Sequence, residues 1–264
     1  FNLNAQWSWD LEIPETASPP TIDGDGSDPA WNEMASFQPI GNHISGFIDD
    51  PSDLSAEFKA VWAGDTLYLL VNVTDDVPFT DNPDLWQNDN IEVFLDLDNS
   101  KNPDPGSPPS NYDGNDFQIM CPYNGTSPSG GVTIANSENT SGSYTMEIKI
   151  ELDPDFGGYI QDAIGFDLQI DDCDGSDTRE ASICWHAEQN RNYMASEHFG
   201  TVSWTDRGNT IYEFGLTANQ RGETTISGNA ISLEVFAGTD LTSLVPEFLV
   251  SAGATVTANA TTQE

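Results

Sequence analysis

Basic residues are scarce in this chain of 264 residues: seven Lys and Arg stand against 44 Asp and Glu, for a net charge of −37. A surface so negative repels phosphate backbones and anionic lipid, which excludes nucleic acid as a partner and argues against membrane insertion. No apolar run reaches the roughly 20 residues of a membrane-spanning helix. The acidic surplus has two explanations, solubility in a salty medium or the binding of a divalent cation by oxygen ligands.

Cysteine is also rare, with three residues in the chain. Cys173 and Cys184 flank a short Asp-rich loop, so we predict a disulfide between them and an extracellular protein, secreted or attached to the cell surface. Cys121 is left over, either as a buried free thiol or as half of an intermolecular bridge. The chain has no CxxC motif, which argues against a zinc site. It begins at Phe1, as a processed secretory protein or an excised fragment would.

Catalytic motifs are missing as well. The chain has no GxSxG, no HExxH and no phosphate-binding loop. Acidic side chains are so abundant that nothing singles out the acid and nucleophile of a glycosidase. The sequence therefore predicts that the protein is not an enzyme.

The N-terminal segment, residues 1–14, alternates apolar and polar side chains, which is typical of a half-buried strand. Residues 15–20 are rich in proline and form a predicted linker. The apolar positions of the segment are Phe1, Leu3, Ala5, Trp7, Trp9, Leu11 and Ile13.

Residues 21–205 contain short strand-like segments between clusters of Gly, Pro, Asn and Asp, with one helical turn near residues 29–34. This pattern predicts an all-β fold, an antiparallel β-sandwich of the jelly-roll type. The predicted strands are 55–62, 66–74, 90–96, 116–123, 143–150, 163–171, 183–186 and 201–204.

Residues 206–264 contain far fewer aromatic and acidic residues than the preceding part of the chain. The phrase GTDLTSLVPEFLVSAGATVT resembles the tandem immunoglobulin-like repeats of bacterial surface proteins, but the chain stops before two further strands of such a repeat. We therefore expect an incomplete immunoglobulin-like β-sandwich. Its predicted strands are 210–216, 230–236, 247–251 and 254–258.

Several phrases between residues 21 and 204 follow one another in the order of a known family. They include TIDGDGSDPAW, FKAVWAGDTLYLLVNVTDD, LWQNDNIEVFLDLDNSKN, YDGNDFQI and HFGTVSW. This region resembles the family 9 carbohydrate-binding modules. The resemblance implies a two-sheet β-sandwich with structural Ca²⁺, no catalysis, and a polysaccharide or glycan gripped between two aromatic rings.

The resemblance also carries residue roles. Trp86 matches the first ring, Glu92 the carboxylate that follows it, and Gln118 the family's Gln. Tyr193 falls at the second ring, where the family has Trp, and Met120 stands where the family usually has an Arg that anchors hydroxyls. The alternatives are core packing for Trp86, a solvated side chain for Glu92, and an ordinary exposed loop residue for Tyr193.

Three acidic loops are candidate Ca²⁺ sites, because a hard cation prefers carboxylate and carbonyl oxygens. The alternative for each is a solvated loop, but four acids within seven residues repel one another unless a cation or water neutralises them. We expect at least one loop to hold Ca²⁺. The candidate ligands are Asp23, Asp25 and Asp28; Asp96, Asp98, Asn99, Asp113 and Asp116; and Asp171, Asp172, Asp174 and Asp177.

Two functions fit these observations. The first is glycan binding through Trp86, Glu92 and Tyr193. The second is structural: copies of the chain form an extracellular filament, head to tail, when residues 1–14 insert as a donor strand into the incomplete C-terminal module of a neighbour. A simpler explanation of the N-terminal strand is that residues 1–13 pair with the central sandwich, or that the chain is a fragment of a larger surface protein.

Overall fold

A computed structural model describes most of the chain, in two compact units that span Phe1–Thr205 and Asp206–Glu264. No α-helix occurs among the described residues, and none of their short helical turns is long and apolar enough to cross a bilayer. The all-β prediction is confirmed. The described residues are 10–125, 127–140, 142–152, 163–175, 178–204, 211–227 and 230–250.

The described residues of the first unit form twelve strands. They include every strand predicted for residues 21–205, with ends shifted by at most two residues. The first unit also has 3₁₀ helices at Pro29–Asn32, Leu85–Gln87 and Ser196–His198. The strands are β1 (Leu11–Ile13), β2 (Gln38–Ile40), β3 (Asn42–Gly46), β4 (Leu54–Ala63), β5 (Thr66–Asp75), β6 (Asn90–Asp96), β7 (Asp116–Pro122), β8 (Val132–Thr140), β9 (Ser143–Glu151), β10 (Ala163–Asp172), β11 (Ala181–Cys184) and β12 (Gly200–Trp204).

Strand β10 lies at the centre of a seven-stranded sheet. On one side it pairs with β6, which pairs with β7, and on the other side its two ends pair with β12 and β11. These continue to β1 and β3. A second sheet has five strands in the order β2-β4-β5-β9-β8. The strand pairs of the first unit are antiparallel except for β1 with β12.

Alternation along the strands decides which side chains face the core between the two sheets. On β6, Ile91, Val93 and Leu95 are fully buried in this apolar core. Successive side chains of a strand point to opposite faces, so Glu92, between two of these residues, points to the outer face of the sheet. The outer face of the seven-stranded sheet is therefore where polar side chains of the central strands collect.

Residues 10–16 close one edge of the first unit. Strand β1 pairs with β12, with Ile13 opposite Trp204. The carbonyl of Pro14 then accepts a hydrogen bond from the N–H of Trp62 on β4 (3.0 Å). Ile13 is fully buried. The segment thus ties the two sheets together.

This arrangement corrects part of the filament hypothesis. Leu11 and Ile13, both assigned to the donor strand, pair within their own unit, as the simpler explanation has it. Alternating apolar and polar side chains suit a strand that pairs with the edge of its own sheet as well as one that inserts into a neighbouring molecule. Polymerisation stays a prediction, and the remaining residues of the proposed donor strand lie outside the described part of the chain: Phe1, Leu3, Ala5, Trp7 and Trp9.

Replacing Ile13 by Ala tests whether β1 stabilises its own unit. Truncating a fully buried Ile costs about 2–5 kcal/mol, so we expect the melting temperature of the first unit to fall by about 5 °C or more. Calorimetry of the purified variant measures this shift. The neighbouring Glu12 is exposed, and Glu12→Ala serves as the control that leaves the melting temperature unchanged. Equal melting temperatures for both variants would contradict the assignment.

The second unit forms two antiparallel two-stranded sheets in its described residues. Strand β13 (Ile211–Leu216) pairs with β16 (Pro246–Val250). Strand β14 (Gln220–Ser227) pairs with β15 (Ala230–Val235). A 3₁₀ helix at Leu241–Ser243 precedes β16. The expected immunoglobulin-like sandwich is not confirmed for this unit.

The predicted disulfide is wrong, because all three cysteines are buried and none of them is disulfide-bonded. Strands β10 and β11 are paired so that Cys184 lies opposite Gln169, four residues before Cys173. At about 3.3 Å per residue, this register separates the two cysteines by roughly 13 Å along the sheet. A disulfide needs Cα atoms within about 7 Å.

Thiol counting checks this correction. We expect alkylation of the unfolded chain to modify three cysteines whether or not a reductant was added first, as measured by mass spectrometry. The folded protein should react slowly, because burial raises the pKa of the Cys121 and Cys184 thiols well above the usual value. Two fewer modified cysteines in the unreduced sample would show that the disulfide between Cys173 and Cys184 does form.

Candidate functional site

A cavity of about 540 Å³ opens on the outer face of the seven-stranded sheet. Its floor consists of side chains from β6, β7 and β10 that alternate away from the core, and its walls come from three loops. The floor residues are Glu92, Gln118, Met120 and Gln169. The wall residues are Trp86, Arg179, Asn190 and Tyr193. All four residues predicted to bind a glycan therefore line one cavity.

Glu92 lies at the centre of the floor, opposite Met120 on β7 and Gln169 on β10. Gln118 Nε2 donates a hydrogen bond to Glu92 Oε2 (2.5 Å). Burial, followed by the negative charge of Asp171, raises the pKa of Glu92 well above its usual value. Only 2% of Glu92 is exposed, so it is a fixed hydrogen-bonding group of the cavity floor and not a solvated side chain.

Two aromatic rings border the cavity. Trp86 lies on the short helix between β5 and β6, and Tyr193 lies in the loop between β11 and β12. Each is 44% exposed. By contrast, Trp31, Trp62 and Trp204 are buried. The core-packing alternative for Trp86 therefore does not hold.

The loop that bears Tyr193 is fixed to the sheet by Asp167, a fully buried residue of β10. Its carboxylate accepts hydrogen bonds from the backbone N–H groups of His186 (2.9 Å) and Ala187 (2.8 Å) and from Asn192 Nδ2 (2.9 Å). Burial raises the pKa of Asp167. The sequence analysis did not identify Asp167, although an acid in the middle of the apolar strand IGFDLQI is a usable signal.

Arg179 is one of two wall residues, with Asn190, that the sequence analysis missed. Its Nη1 donates to Asp171 Oδ1 (2.8 Å) and lies 3.8 Å from Glu92 Oε1. The guanidinium carbon is 5.9 Å from the centre of the Trp86 ring. The backbone N–H of Arg179 donates to Gln87 Oε1 (2.7 Å), so Arg179 holds the Trp86 segment by both its backbone and its side chain.

Asp171 was predicted as a Ca²⁺ ligand but points to the outer face of the sheet, like Gln169 two residues earlier, and pairs with the wall residue Arg179. Its Oδ1 accepts hydrogen bonds from Ser182 Oγ (2.9 Å) and Gln169 Nε2 (2.8 Å) in addition to Arg179. Asp172, the next residue of β10, points the other way, since neighbours on a strand alternate. Asp177 lies outside the described residues.

Asp172 lies in a buried cluster with Asp75 and Asp89, whose carboxylate oxygens are within 4.8 Å of one another. Both carboxylate oxygens of Asp172 and the hydroxyl of Tyr144 are buried without a hydrogen-bond partner. Burial, followed by the charge of Asp75, raises the pKa of Asp89 to about 9 and that of Asp172 to about 8. The described residues around this cluster therefore offer too few hydrogen-bond donors to satisfy its carboxylate oxygens.

A second cluster lies near the first along the chain and consists of Asp53, Asp76 and Asp174. It is more exposed, and burial followed by the charge of Asp76 raises the pKa of Asp174 to about 6. Asp172 and Asp174 were predicted ligands, whereas Asp53, Asp75, Asp76 and Asp89 were not.

The first acidic loop, at residues 23–28, is seated on β8 and β9. Gly24 has φ +88°, and a Cβ at this position would lie 2.7 Å from the backbone of Asn136. Asp23 and Asp25 form a cluster with Glu147. Glu147 Oε2 already accepts hydrogen bonds from the N–H groups of Asp23 (2.9 Å) and Gly24 (2.8 Å). Asp28 accepts instead from the N–H of Thr21.

The second acidic loop satisfies most of its carboxylate oxygens with its own donors, although Asp116 Oδ1 is buried without a hydrogen-bond partner among the described residues. Asp96 accepts from the N–H groups of Ser100 and Lys101. Asn102 Nδ2 donates to Asp113 and Asp116 (2.9 Å each). No group of three carboxylates forms in this loop within the described ranges. The predicted ligands of this loop, which the structure does not gather into one cation site, are Asp96, Asp98, Asn99, Asp113 and Asp116.

A fourth group of possible ligands consists of Asp104, Glu197 and His198. Arg191 makes a two-point ion pair with Asp104. This pair holds the pKa of Asp104 well below its usual value. Because a cation of the protein already neutralises Asp104, the group joins two loops without needing a metal.

Comparison with known proteins identifies the relatives of both units. The family described as "Carbohydrate family 9 binding domain-like" matches residues 22–207. The family described as "SGBP, N-terminal" matches residues 211–264.

Two enzymes are among the curated relatives. Endo-1,4-beta-xylanase A of Thermoanaerobacterium saccharolyticum is 27% identical over 183 residues, which cover 69% of this chain and 14% of the enzyme. Exoglucanase XynX of Acetivibrio thermocellus is 26% identical over 214 residues, which cover 76% of this chain and 18% of the enzyme. The chain thus spans less than a fifth of the length of these relatives.

Two solved structures share the fold. Both are of a family 9 carbohydrate-binding module from Caldicellulosiruptor kristjanssonii, one in complex with cellotriose and one with glucose. The cellotriose complex has a TM-score of 0.62 and 22% identity and covers 75% of this chain and 95% of its own. The glucose complex has a TM-score of 0.62 and 23% identity and covers 76% of this chain and 99% of its own.

Proposed function

The chain belongs to the carbohydrate family 9 binding domain-like family, and from this premise we propose that its first unit binds a neutral glycan without catalysing a reaction. The observation that carries the proposal is the pair of half-exposed rings, Trp86 and Tyr193, on one cavity with a polar floor. A pyranose has apolar C–H faces that stack on aromatic rings, and its hydroxyls need fixed donors and acceptors. Glu92, Gln118 and Gln169 supply these.

The ligand we propose is a β-linked neutral oligosaccharide or the polysaccharide that contains it. Cellotriose and glucose are bound by the solved relatives, and xylanases and an exoglucanase are among the curated ones. The net charge of −37 disfavours acidic glycans.

Binding without hydrolysis fits the way the cavity carboxyl groups are held. A glycosidase places two carboxyl groups on either side of the scissile bond, with a catalytic task for each. Glu92 is held by Gln118, and Asp171 by Arg179 and Ser182. Both groups point to the outer face of the sheet from the adjacent strands β6 and β10, so they lie on the same side of any ligand.

We also propose Ca²⁺ at the cluster of Asp75, Asp89 and Asp172. The support is the set of three buried carboxylates, of which Asp172 has both oxygens without a hydrogen-bond partner, since oxygen-only ligands suit a hard cation and buried acids need neutralisation. When bound, the ion supplies positive charge that joins the end of β5, the start of β6 and the end of β10. Asp89 also accepts hydrogen bonds from the N–H groups of Phe79 and Cys173, which anchors the segment that leads to the cavity.

Isothermal titration calorimetry tests the glycan proposal directly. The full chain, with Ca²⁺ in the buffer, is titrated with glucose, cellotriose, xylotriose and the trimer of galacturonic acid. We expect at least one neutral sugar to bind, and the acidic trimer to give no heat. Absence of binding by all neutral sugars, with the protein folded, would contradict the proposal.

An extracellular location remains our proposal, now without the disulfide as support. It rests on the glycan ligand and on the acidic surface, since polysaccharides of this kind lie outside cells. Fractionation of the source cells, followed by detection with an antibody, would test it.

A further inference from the structure

We propose that Arg179 sets the sugar selectivity of the cavity, by donating hydrogen bonds to the hydroxyls of a neutral sugar and by excluding sugars that carry an ammonium group. The inference rests on the proposed glycan-binding function and concerns a residue that the family resemblance did not indicate. Four observations carry it.

The first observation is that Arg179 is the only cationic side chain among the described residues that line the cavity. Met120 stands on the floor where the family usually has an arginine. The Met120 sulfur accepts a hydrogen bond from Asn90 Nδ2 (3.3 Å) and offers a sugar no donor. The cationic donor therefore reaches the cavity from the loop between β10 and β11 instead of from β7.

The second observation is the position of the guanidinium between two buried acids. Nη1 is 2.8 Å from Asp171 Oδ1 and 3.8 Å from Glu92 Oε1. These contacts fix the plane of a group that has five N–H donors. Among the described residues, Asp171 is the one hydrogen-bond acceptor of the guanidinium, so its other donors remain available on the cavity wall in a fixed orientation.

The third observation is that the Arg179 side chain lies over the ring of Trp86. The guanidinium lies 5.9 Å from the centre of the Trp86 ring, within the range of a cation–π contact. The Arg179 N–H also donates to Gln87, the next residue after Trp86. A sugar that stacks on the ring of Trp86 therefore lies beside the guanidinium.

The fourth observation concerns charge. Asp171 is a buried acid next to the cavity floor, and without Arg179 its negative charge would attract an ammonium group. With Arg179 in place, an amino sugar meets a cation that already occupies the favourable position. Neutral hydroxyls meet donors and acceptors without a charge penalty, so the cavity prefers a neutral sugar over its amino counterpart.

Cellotriose and the trimer of glucosamine test this selectivity as a matched pair, because they share length and β-1,4 linkage and differ by an ammonium group on each ring. Titrations at pH 6 keep the amines protonated. We expect the wild type to prefer cellotriose. Arg179→Gln should weaken cellotriose binding about 10-fold or more, since a hydrogen bond to a charged group is lost. The same variant should bind the glucosamine trimer more tightly than the wild type does.

Arg179→Lys separates charge from geometry. It keeps the positive charge, so it should still prefer cellotriose, but it lacks the planar fork and should bind cellotriose more weakly than the wild type. Arg221 is exposed in the second unit, and Arg221→Gln is the control that carries the same charge change without an effect on either sugar.

The inference is overturned if Arg179→Gln binds both trimers with the affinities of the wild type, or loses both by the same factor. If wild-type cellotriose binding is intact and Trp86→Ala abolishes it in the same series, such a result leaves the glycan-binding proposal standing. If the wild type binds no neutral sugar, the proposed function and this inference both fall.

Discussion

Replacing Trp86 by Ala is expected to weaken the binding of cellotriose by about 30-fold or more. A tryptophan that a bound partner covers contributes roughly 2 kcal/mol or more to the free energy of binding. The substitution removes the stacking surface and also the platform on which the Arg179 guanidinium lies. Calorimetric titration measures the loss. Tyr193→Ala should lower the affinity less, by about 10-fold, since its ring is smaller than that of Trp86.

The matched control for this prediction is Phe236→Ala, which removes an exposed aromatic ring from the second unit. It should leave the affinity for cellotriose unchanged. The melting temperature of Trp86→Ala should stay close to that of the wild type, since 44% of Trp86 is exposed. Full affinity in a folded Trp86→Ala variant would place the glycan somewhere else on the protein.

Removing Ca²⁺ is the second change with a large expected effect. At a free concentration of 100 times its Kd, a ligand of the folded state adds about 2.7 kcal/mol, which corresponds to about 5–10 °C for a unit of this size. We therefore expect a chelator to lower the melting temperature of the first unit by this amount, and excess Ca²⁺ to restore it.

The size of this shift should depend on pH. Burial and mutual repulsion raise the pKa of Asp89 to about 9 and that of Asp172 to about 8, whereas the unfolded chain titrates near 3.8. The metal-free folded state therefore holds protons that the unfolded chain has lost, and its stability falls as pH rises from about 4 to about 8. Ca²⁺ removes that penalty. The Ca²⁺-dependent rise in melting temperature should be larger at pH 8 than at pH 5.

Asp172→Asn identifies the ion's position. Removing one of three repelling charges should leave the metal-free variant at least as stable as the metal-free wild type at pH 8, while its response to Ca²⁺ is lost. Asp81 is exposed and belongs to none of the described carboxylate clusters, so Asp81→Asn should respond to Ca²⁺ as the wild type does. If the melting temperature of Asp172→Asn responds to Ca²⁺ as that of the wild type does, the ion binds at a different cluster.

The positions of most strands and the aromatic part of the cavity were predictable from the sequence, because both depend on local patterns. Alternation in NIEVFLD points Glu92 away from the core, and the family phrases place Trp86 and Tyr193 in two loops. Strands β2, β3 and β8 of the first unit and β14 of the second were missed. Pro39 and Gly41 interrupt the first two, and β8, with the sequence VTIANSENT, is too polar to stand out as a strand.

Contacts between distant segments were not predictable in this way. Arg179 reaches the cavity because β11 folds back on β10, and the cluster of Asp75, Asp89 and Asp172 joins residues nearly 100 positions apart. The disulfide prediction failed for the same reason. Proximity in sequence suggested a bridge between Cys173 and Cys184, but the register of the two strands sets them apart.

NMR of the methionine methyl groups tests the central claim most directly. The chain has four methionines, of which Met120 lines the cavity while Met34 and Met146 are buried in the core between the sheets. Cellotriose added to protein labelled at these methyl groups should shift the Met120 signal, assigned with Met120→Leu, and leave those of Met34 and Met146 in place. A sugar that binds by calorimetry but leaves the Met120 signal unmoved would contradict the assignment of the cavity.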